Sequence, residues 1–376
     1  MYNYIPLEQA ADILDSYRKP VNSKERLNLI KGKPLDELFP YYGATGQVGW
    51  IDSFLTDGEY ILLGEDGAPF LNPYAEKAYI IYGKTWVNNH AHILRSKTNN
   101  EFLCYYLNYF NYKNYVSGTT RLKLTQAQMR KIPIPNIPSD EQFRIVARIE
   151  ELFSELDKAV DTLKTTKEQL EVYRQAVLKD AFSKVSQYAP LGNVATSRLG
   201  KMLDKQKNTG TPKKYLRNIN VRWFSFDLAD LQEMKIEETE FEKYTIKKDD
   251  LVICEGGEPG RCAVWDKNET IYFQKALHRV RFTVESEPRL YMYYIWFMTN
   301  TGALNKFYTG TGIKHLTGQS LEKVLVPVID IKTQQKLLAS IELRLSICDS
   351  IEKTVDTALA QADAMRQSIL KQAFEG

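Results

Sequence analysis

The sequence predicts an α+β protein in which two mixed α/β domains alternate with two long helices, the helices pairing as an antiparallel coiled coil within an internal pseudo-two-fold repeat. Three observations carry this expectation. A helical decapeptide is written twice, a block upstream of it is written twice at the same spacing, and each copy ends in a long apolar heptad stripe.

The decapeptide is "YRQAVLKDAF" (173–182) and returns as "MRQSILKQAF" (365–374), with Arg174/Arg366, Gln175/Gln367, Leu178/Leu370, Lys179/Lys371, Ala181/Ala373 and Phe182/Phe374 identical. Carried backward without a gap, the same offset of 192 places "SGTTRLKLTQAQMRKIPIP" (117–135) on "TGTGIKHLTGQSLEKVLVP" (309–327). Farther upstream the offset drifts to 190, yet "LLGEDGAP" (62–69) still matches "VICEGGEP" (252–259) at Glu65/Glu255, Gly67/Gly257 and Pro69/Pro259. Each copy has the size of one globular domain plus a helix. The expected divisions are 1–138 (first globular domain), 139–184 (first helical spacer), 185–330 (second globular domain) and 331–376 (second helical spacer).

In the first domain "YRKPVNSKERLNLIKGK" (17–33) holds six Lys/Arg against one Glu, although the whole chain has a net charge of only +3. The acidic residues therefore gather elsewhere, on the helices and in 227–242. Next, "YYGATGQVGW" (41–50) spaces Gly43, Gly46 and Gly49 as G-x-x-G-x-x-G, which fits neither a dinucleotide nor a Walker loop. It reads as turns between strands. "NNHAH" (88–92) sets His90 and His92 on one face of a strand, but no Cys or carboxylate cluster completes a metal site, so contact or packing is expected.

The first helix begins at "PSDEQ", with Ser139 as N-cap and Gln142 three residues on in a capping-box pattern. Ile149, Leu156, Leu163, Leu170 and Val177 then recur at heptad spacing, with no Gly or Pro from 139 to 186. The second domain opens with another basic stretch, "SRLGKMLDKQKNTGTPKKYLR" (197–217), seven Lys/Arg against one Asp. "CEGGEPGRC" (254–262) resembles a redox loop only superficially, because its counterpart "GEDGAPF" keeps the turn residues and neither cysteine. The second helix starts on the weaker signal "DIKTQQ", and its stripe is Ile341, Cys348, Val355, Ala362 and Ile369. About 44 residues in each helix would span roughly 65 Å.

A single basic loop is ordinarily a solvated face. Two at equivalent places, interleaved with Tyr, Asn and Thr, point to phosphates and base edges. The candidate DNA contacts of the first domain are Arg18, Lys19, Lys24, Arg26, Tyr41, Tyr42, Thr45, Asn89, His90, Arg121 and Lys123. Those of the second are Lys201, Lys205, Lys207, Lys213, Lys214, Tyr215, Arg217, Asn218, Arg261, Lys275, His278 and Lys314. The most apolar run, "LYMYYIWFM" (290–298), is shorter than the ~20 residues a spanning helix needs, so no membrane association is expected. The four cysteines, Cys104, Cys254, Cys262 and Cys348, form no C-x-x-C pair and suit buried thiols in a reducing cytoplasm. No metal ligand set or catalytic residue is expected: "NPY" (72–74) lacks the second proline of an amino-methylation motif, and no Walker, Gly-rich adenosylmethionine or nuclease signature is legible.

The alternation of "GTTRLKLT…IPIPNIPSDEQFRIVARIEELF…LKDAF" with "GTGIKHLT…VLVPVIDIKTQQKLLASIE…LKQAF" resembles the specificity subunit of a type I restriction-modification enzyme along essentially the whole chain. "FPYYGATGQVGWID" and "GEYILLGEDGAPF…WVNNHAHILR" are also similar to segments of that family's target-recognition domains. The second copy departs from the first in having Thr333 where the first has Glu141 and in lacking an equivalent of Pro138, so its helix is expected to begin differently. The resemblance implies a non-catalytic subunit whose two domains each read half of a split site in double-stranded DNA. It further implies that the helices fix the spacer and dock two methyltransferase subunits, with restriction subunits added. This chain would then bind no cofactor; S-adenosylmethionine, ATP and Mg²⁺ would belong to the partners. A self-sufficient methyltransferase or nuclease, or a coiled-coil scaffold binding only proteins, are the alternatives.

Overall fold

A computed structural model describes residues 3–204 and 206–375. The chain forms two compact units, Met1–Thr165 with Val355–Gly376, and Thr166–Thr354. Each unit therefore holds one globular domain and one half of each long helix.

In the first unit the strands Ala11–Ile13, Ala91–Ser96, Tyr60–Gly64 and Ala78–Ile81 make an antiparallel sheet in that spatial order. Every residue of "YILLG" is buried, because alternate side chains serve two cores. Ile61 and Leu63 face a helical layer with Phe102, Leu103, Leu107 and Tyr112, whereas Tyr60 and Leu62 pack with Ile81, Val87 and Ile93. Beyond that second core lies another sheet, Gly46–Ile51, Phe39–Gly43, Lys84–Val87 and Thr56–Asp57, in which Tyr42 pairs in parallel with Val87. The glycine-rich stretch is the tight turn of its hairpin, as its spacing predicts, with Gly43 paired to Gly46.

The second unit repeats this order. Ala195–Leu199, Leu277–Phe282, Leu251–Cys254 and Cys262–Val264 form one sheet; Gln232–Ile236, Thr211–Leu216, Ile271–Phe273 and Thr245–Ile246 form the other. The central strand again divides, Leu251 and Ile253 to one core, Val252 and Cys254 to the other. The run "LYMYYIWFM" lies in the helix Pro288–Asn300, whose buried residues run from Leu290 to Ile295 and include Met298; packing on several sides explains its apolarity. An added hairpin, Val221–Arg222 with Ser225–Phe226, is particular to this copy, and the short helix Ser23–Ile30 to the other.

The long helices are Ser139–Ser183 and Ile331–Glu375, 45 residues each. Inside each unit their halves run antiparallel, and one ion pair is built twice. Arg174 donates to Asp349 at 2.8 Å in the second unit, and Arg366 pairs with Asp157 in the first, the same two residues advanced by one repeat. Of the heptad positions, Ile149, Leu170, Val177, Ile341, Cys348, Val355 and Ala362 are buried. Leu156, Leu163 and Ile369 are only half-buried.

The expected capping box does not form. The first helix includes Ser139, and the Pro138 carbonyl accepts from the Glu141 and Gln142 amides. Gln142 is instead buried, donating to the Ile137 carbonyl at 2.9 Å and accepting from Thr98 at 2.8 Å. Gln334 repeats the bracket, donating to Ile329 at 2.8 Å and accepting from the Glu287 amide at 2.9 Å. The start read as weaker is the one with a side-chain cap: Asp330 accepts from the Thr333 amide at 3.0 Å.

Both decapeptides end in a phenylalanine driven into its unit's core. Phe182 meets Tyr294 edge-on at 4.9 Å, and Phe374 meets Phe102 edge-on at 5.5 Å. Phe182→Ala and Phe374→Ala are each expected to cost about 3–5 kcal/mol. Urea unfolding would check this, and an unchanged midpoint in either variant would show that its ring holds nothing.

Candidate nucleic-acid interface

Four loops converge in each unit. In the first they are the Gly43–Gly46 turn, Glu65–Gly67, Asn88–His90 and Ser117–Lys123. Tyr79 hydroxyl donates to the Gly43 carbonyl at 2.6 Å, and the Asn88 amide donates to Tyr42 at 3.1 Å. The Glu65 amide donates to His90 at 2.8 Å, while its carbonyl accepts from the Leu124 amide at 2.7 Å. In the second unit the three backbone bonds recur, two of them with a different residue at one or both ends: Gln274 amide to Leu216 at 3.1 Å, Glu255 amide to Ala276 at 2.9 Å, and Leu316 amide to the Glu255 carbonyl at 2.7 Å. Backbone bonds, indifferent to side-chain identity, thus hold the loops in one arrangement twice.

Beneath the first unit's loops lies a polar network. His92 is fully buried, with Nδ1 2.7 Å from Asp15 Oδ2 and Nε2 3.0 Å from the Leu124 carbonyl. Both nitrogens face oxygens. Asp15 also accepts from Gln126 at 2.7 Å and pairs with Arg18 at 3.0 Å. Burial works against its ionisation, yet these donors, His92 foremost, hold the carboxyl below its ordinary value. Glu65 is likewise held low: burial opposes ionisation, and Arg18 and Lys123, the latter at 3.1 Å, outweigh it. In the second unit His278 stands at the place of His92 but meets no carboxylate. Its Nε2 lies 2.8 Å from the Leu316 carbonyl, and Nδ1 is buried without a partner. Burial lowers the His278 imidazole below its ordinary value, with Leu316, Glu255 and Glu322 pulling the other way.

The model of the type I restriction modification DNA specificity domain matches this chain twice, over residues 9–172 and 190–360. The chain belongs to that family. It is 29% identical over 371 residues to a Haemophilus influenzae protein provisionally named type I restriction enzyme specificity subunit S.HindORF215P, covering 95% of this chain and 91% of the relative. It is 23% identical over 302 residues to the EcoKI specificity subunit of Escherichia coli, covering 73% of this chain and 65% of that one. Among solved structures, the HsdS subunit of Thermoanaerobacter tengcongensis superposes with a TM-score of 0.62 at 15% identity, covering 100% of this chain and 97% of the other. A chain from a study of complex assembly and conformational transition in the type I R-M system gives 0.70 at 14%, covering 99% and 97%. These likenesses concern the fold.

Against this family background, the sequence-predicted contacts fall into three groups. Lys19, Lys24, Thr45, Asn89, Arg121, Lys123, Lys207, Lys214, Lys275 and Lys314 are exposed. Arg18, Arg26, Tyr42, His90, Lys213, Arg217, Asn218 and Arg261 are half-buried and engaged. Arg18 is held by Asp15 and Glu65, His90 by Asp66 at 2.7 Å, Arg217 by Asp230 at 2.6 Å, and Arg261 by Glu258 and Asn218, both at 2.6 Å. Arg26 lies over the Tyr41 ring at 4.9 Å and Lys213 over Phe241 at 4.9 Å. The third group corrects the sequence reading: Tyr41, Tyr215 and His278 are core residues, and Lys201 is buried against Glu240. Tyr41 hydroxyl is spent on the backbone of Val21 at 3.1 Å and 3.2 Å. Lys205 lies outside the described residues.

His90 and His92 do not share a face, since His90 sits in the turn before the strand. All four cysteines are buried free thiols, and burial pushes Cys254 up to about 11. Sequence reasoning missed Asp66, which joins His90 and Arg121, both at 2.7 Å, and it passed over Ile313 and His315 on the loop where Lys314 was named. The ungapped match of 117–123 with 309–315 was the signal that could have found the last two.

A group whose folded-state pKa is depressed stabilises the fold above its unfolded value and loses that contribution as pH falls. For His278 the loss begins below pH 6.5, its ordinary value; for Asp15 and Glu65 it begins near 4, in a separate window. His278→Gln, which keeps a donor for the Leu316 carbonyl, is expected to show a smaller drop in Tm between about pH 7.5 and 5.5 than the native chain. Equal drops in paired thermal melts would assign the sensitivity elsewhere.

Proposed function

We propose that this chain is the DNA-recognition subunit of a type I restriction-modification complex, each unit reading one half of a bipartite duplex site. The observation that carries the reading is the loop surface built twice on the same backbone bonds but furnished with different side chains. A protein that must recognise two unlike half-sites needs one docking geometry and two chemistries. Half-site spacing then follows protein symmetry, as it does in dimeric readers.

In this reading the long helices set the spacer and dock two methyltransferase subunits, to which restriction subunits are added, and the chain works in the cytoplasm beside the genome. Methyl transfer, ATP hydrolysis and cleavage belong to those partners, with S-adenosylmethionine, ATP and Mg²⁺ bound there. The exposed lysines supply non-specific affinity through phosphates, so binding falls steeply with salt.

The purified chain alone is expected to transfer no labelled methyl groups to DNA, and the chain with its methyltransferase subunits to methylate one split motif. Incorporation by the single chain would refute the assignment. A second test addresses the spacer. Four residues inserted near Thr165 would lengthen that arm by about 6 Å at 1.5 Å per residue. With B-DNA rising 3.4 Å per base pair, the preferred spacer should grow by about one or two base pairs while both half-sites persist. Methylome sequencing of the insertion variant would decide, and an unchanged spacer at full activity would remove the helices from that role.

A further inference from the structure

The loops Ser117–Lys123 and Thr309–His315 are the same turn. Ser117 and Lys123 exchange backbone hydrogen bonds of 3.0 and 2.8 Å, and Thr309 and His315 exchange bonds of 2.8 and 2.9 Å. Gly118 has φ +100° and Gly310 φ +94°. A Cβ on the first would strike the Arg121 carbonyl oxygen, and one on the second the Ile313 carbonyl oxygen. Both turns are closed by backbone, and Arg121 and Ile313 occupy one position within them.

What the two side chains offer is opposite. Arg121 is 61% exposed and is held at one nitrogen by Asp66, leaving other N–H groups to donate. Ile313 is 73% exposed, more than any other large apolar side chain described. Gly312 beside it borders open space, and Lys314 and His315 are exposed polar neighbours. On the proposed DNA-recognition reading, a bare isoleucine on a tightly closed turn of this loop cluster is matched by an apolar partner on the duplex. Base edges present one such group, the C5-methyl of thymine in the major groove; the minor groove presents none. The β-branched side chain has few rotamers to lose on contact.

We propose that Ile313 reads a thymine in the half-site of the second unit by packing on its C5-methyl group, where Arg121 at the same turn position of the first unit addresses a hydrogen-bonding base edge. This rests on the DNA-recognition reading above and names a base within it. Apolar wedging between base steps is the competing use of such a side chain, and it makes no demand on the methyl group.

The test uses the complete complex of chain and methyltransferase subunits. Once its methylated motif is mapped, each thymine of both half-sites is replaced singly by deoxyuridine, which keeps the Watson–Crick pair and deletes the methyl. At one position, in one half-site only, affinity should fall about fourfold, the worth of one buried methyl-sized group. With Ile313→Ala that position should bind thymine and deoxyuridine alike. The proposal is overturned if no deoxyuridine position is sensitive, if the sensitivity survives in Ile313→Ala, or if Ile313→Ala weakens all duplexes equally with no methyl dependence, which is the signature of a wedge. Absence of any methylated motif would overturn the DNA-recognition reading itself, a distinguishable result.

Discussion

The return of the second long helix to the first unit is the constraint on which the rest of the molecule depends. The first domain does not complete its own core: Val146 and Ile149 reach it from the first helix, and Leu370 and Phe374 from the last turns of the second. The second domain draws Val177, Leu178 and Phe182 from the first helix and Leu338 and Ile341 from the other. Each unit is therefore closed by two helices of opposite direction, and in the first unit one of them returns from the far end of the sequence. This explains why a decapeptide is written twice. Its arginine finds an aspartate on the partner helix, its leucine and phenylalanine enter a core, and those duties are the same in both units.

Much of this architecture was legible because a repeat converts one local pattern into two constraints. The heptads, the hairpin in "YYGATGQVGW", the buried thiols and the α+β alternation each follow from short-range periodicity. The helix starts were misjudged for a physical reason: "PSDEQ" has the composition of a capping box, but Gln142 is drawn into the core to bracket Ile137 and Thr98, a tertiary demand that overrides the local one. The candidate contacts suffered from the same limit. A basic residue in sequence carries no sign of the carboxylate that meets it in space, and Arg18 meets Glu65, 47 positions away. Tyr41 and Tyr215 lie among polar and basic residues in sequence, yet each sits on a strand whose inward face is set by pairing.

His92 and His278 show how far two copies of one scaffold can drift without changing shape. Each places Nε2 against the carbonyl of the leucine that follows the closed turn, at 3.0 and 2.8 Å. On the other ring edge one has Asp15 and the other nothing. The first solution embeds carboxylates beneath the loops and balances them with Arg18 and Lys123, with Gln126 donating to Asp15. The second keeps a neutral ring and accepts an unpartnered nitrogen. A buried group without its partner is costly, and here the cost falls on one nitrogen lone pair rather than on a charge, the smaller of the two penalties.

Separation of scaffold from readout follows from where the hydrogen bonds are made. Apart from the Tyr79 hydroxyl on Gly43, the bonds that register the loops run between main-chain atoms, so exchanging His90 for Ala276, Asp66 for Gly256 or Arg121 for Ile313 leaves them intact. The glycines at 118 and 310 complete the separation, since the turn they permit is set by φ and by close approach of backbone rather than by any neighbour's side chain. Chemistry can then vary at tip positions such as 121 and 313 without breaking these main-chain bonds, although Lys123 of the first unit also reaches Glu65 beneath the loops. In most proteins a binding surface and its supporting core share side chains and constrain one another. In this chain the turns around 121 and 313 are closed by the polypeptide backbone, which is why one fold, written twice, can present a guanidinium at one tip and a branched alkyl group at the other.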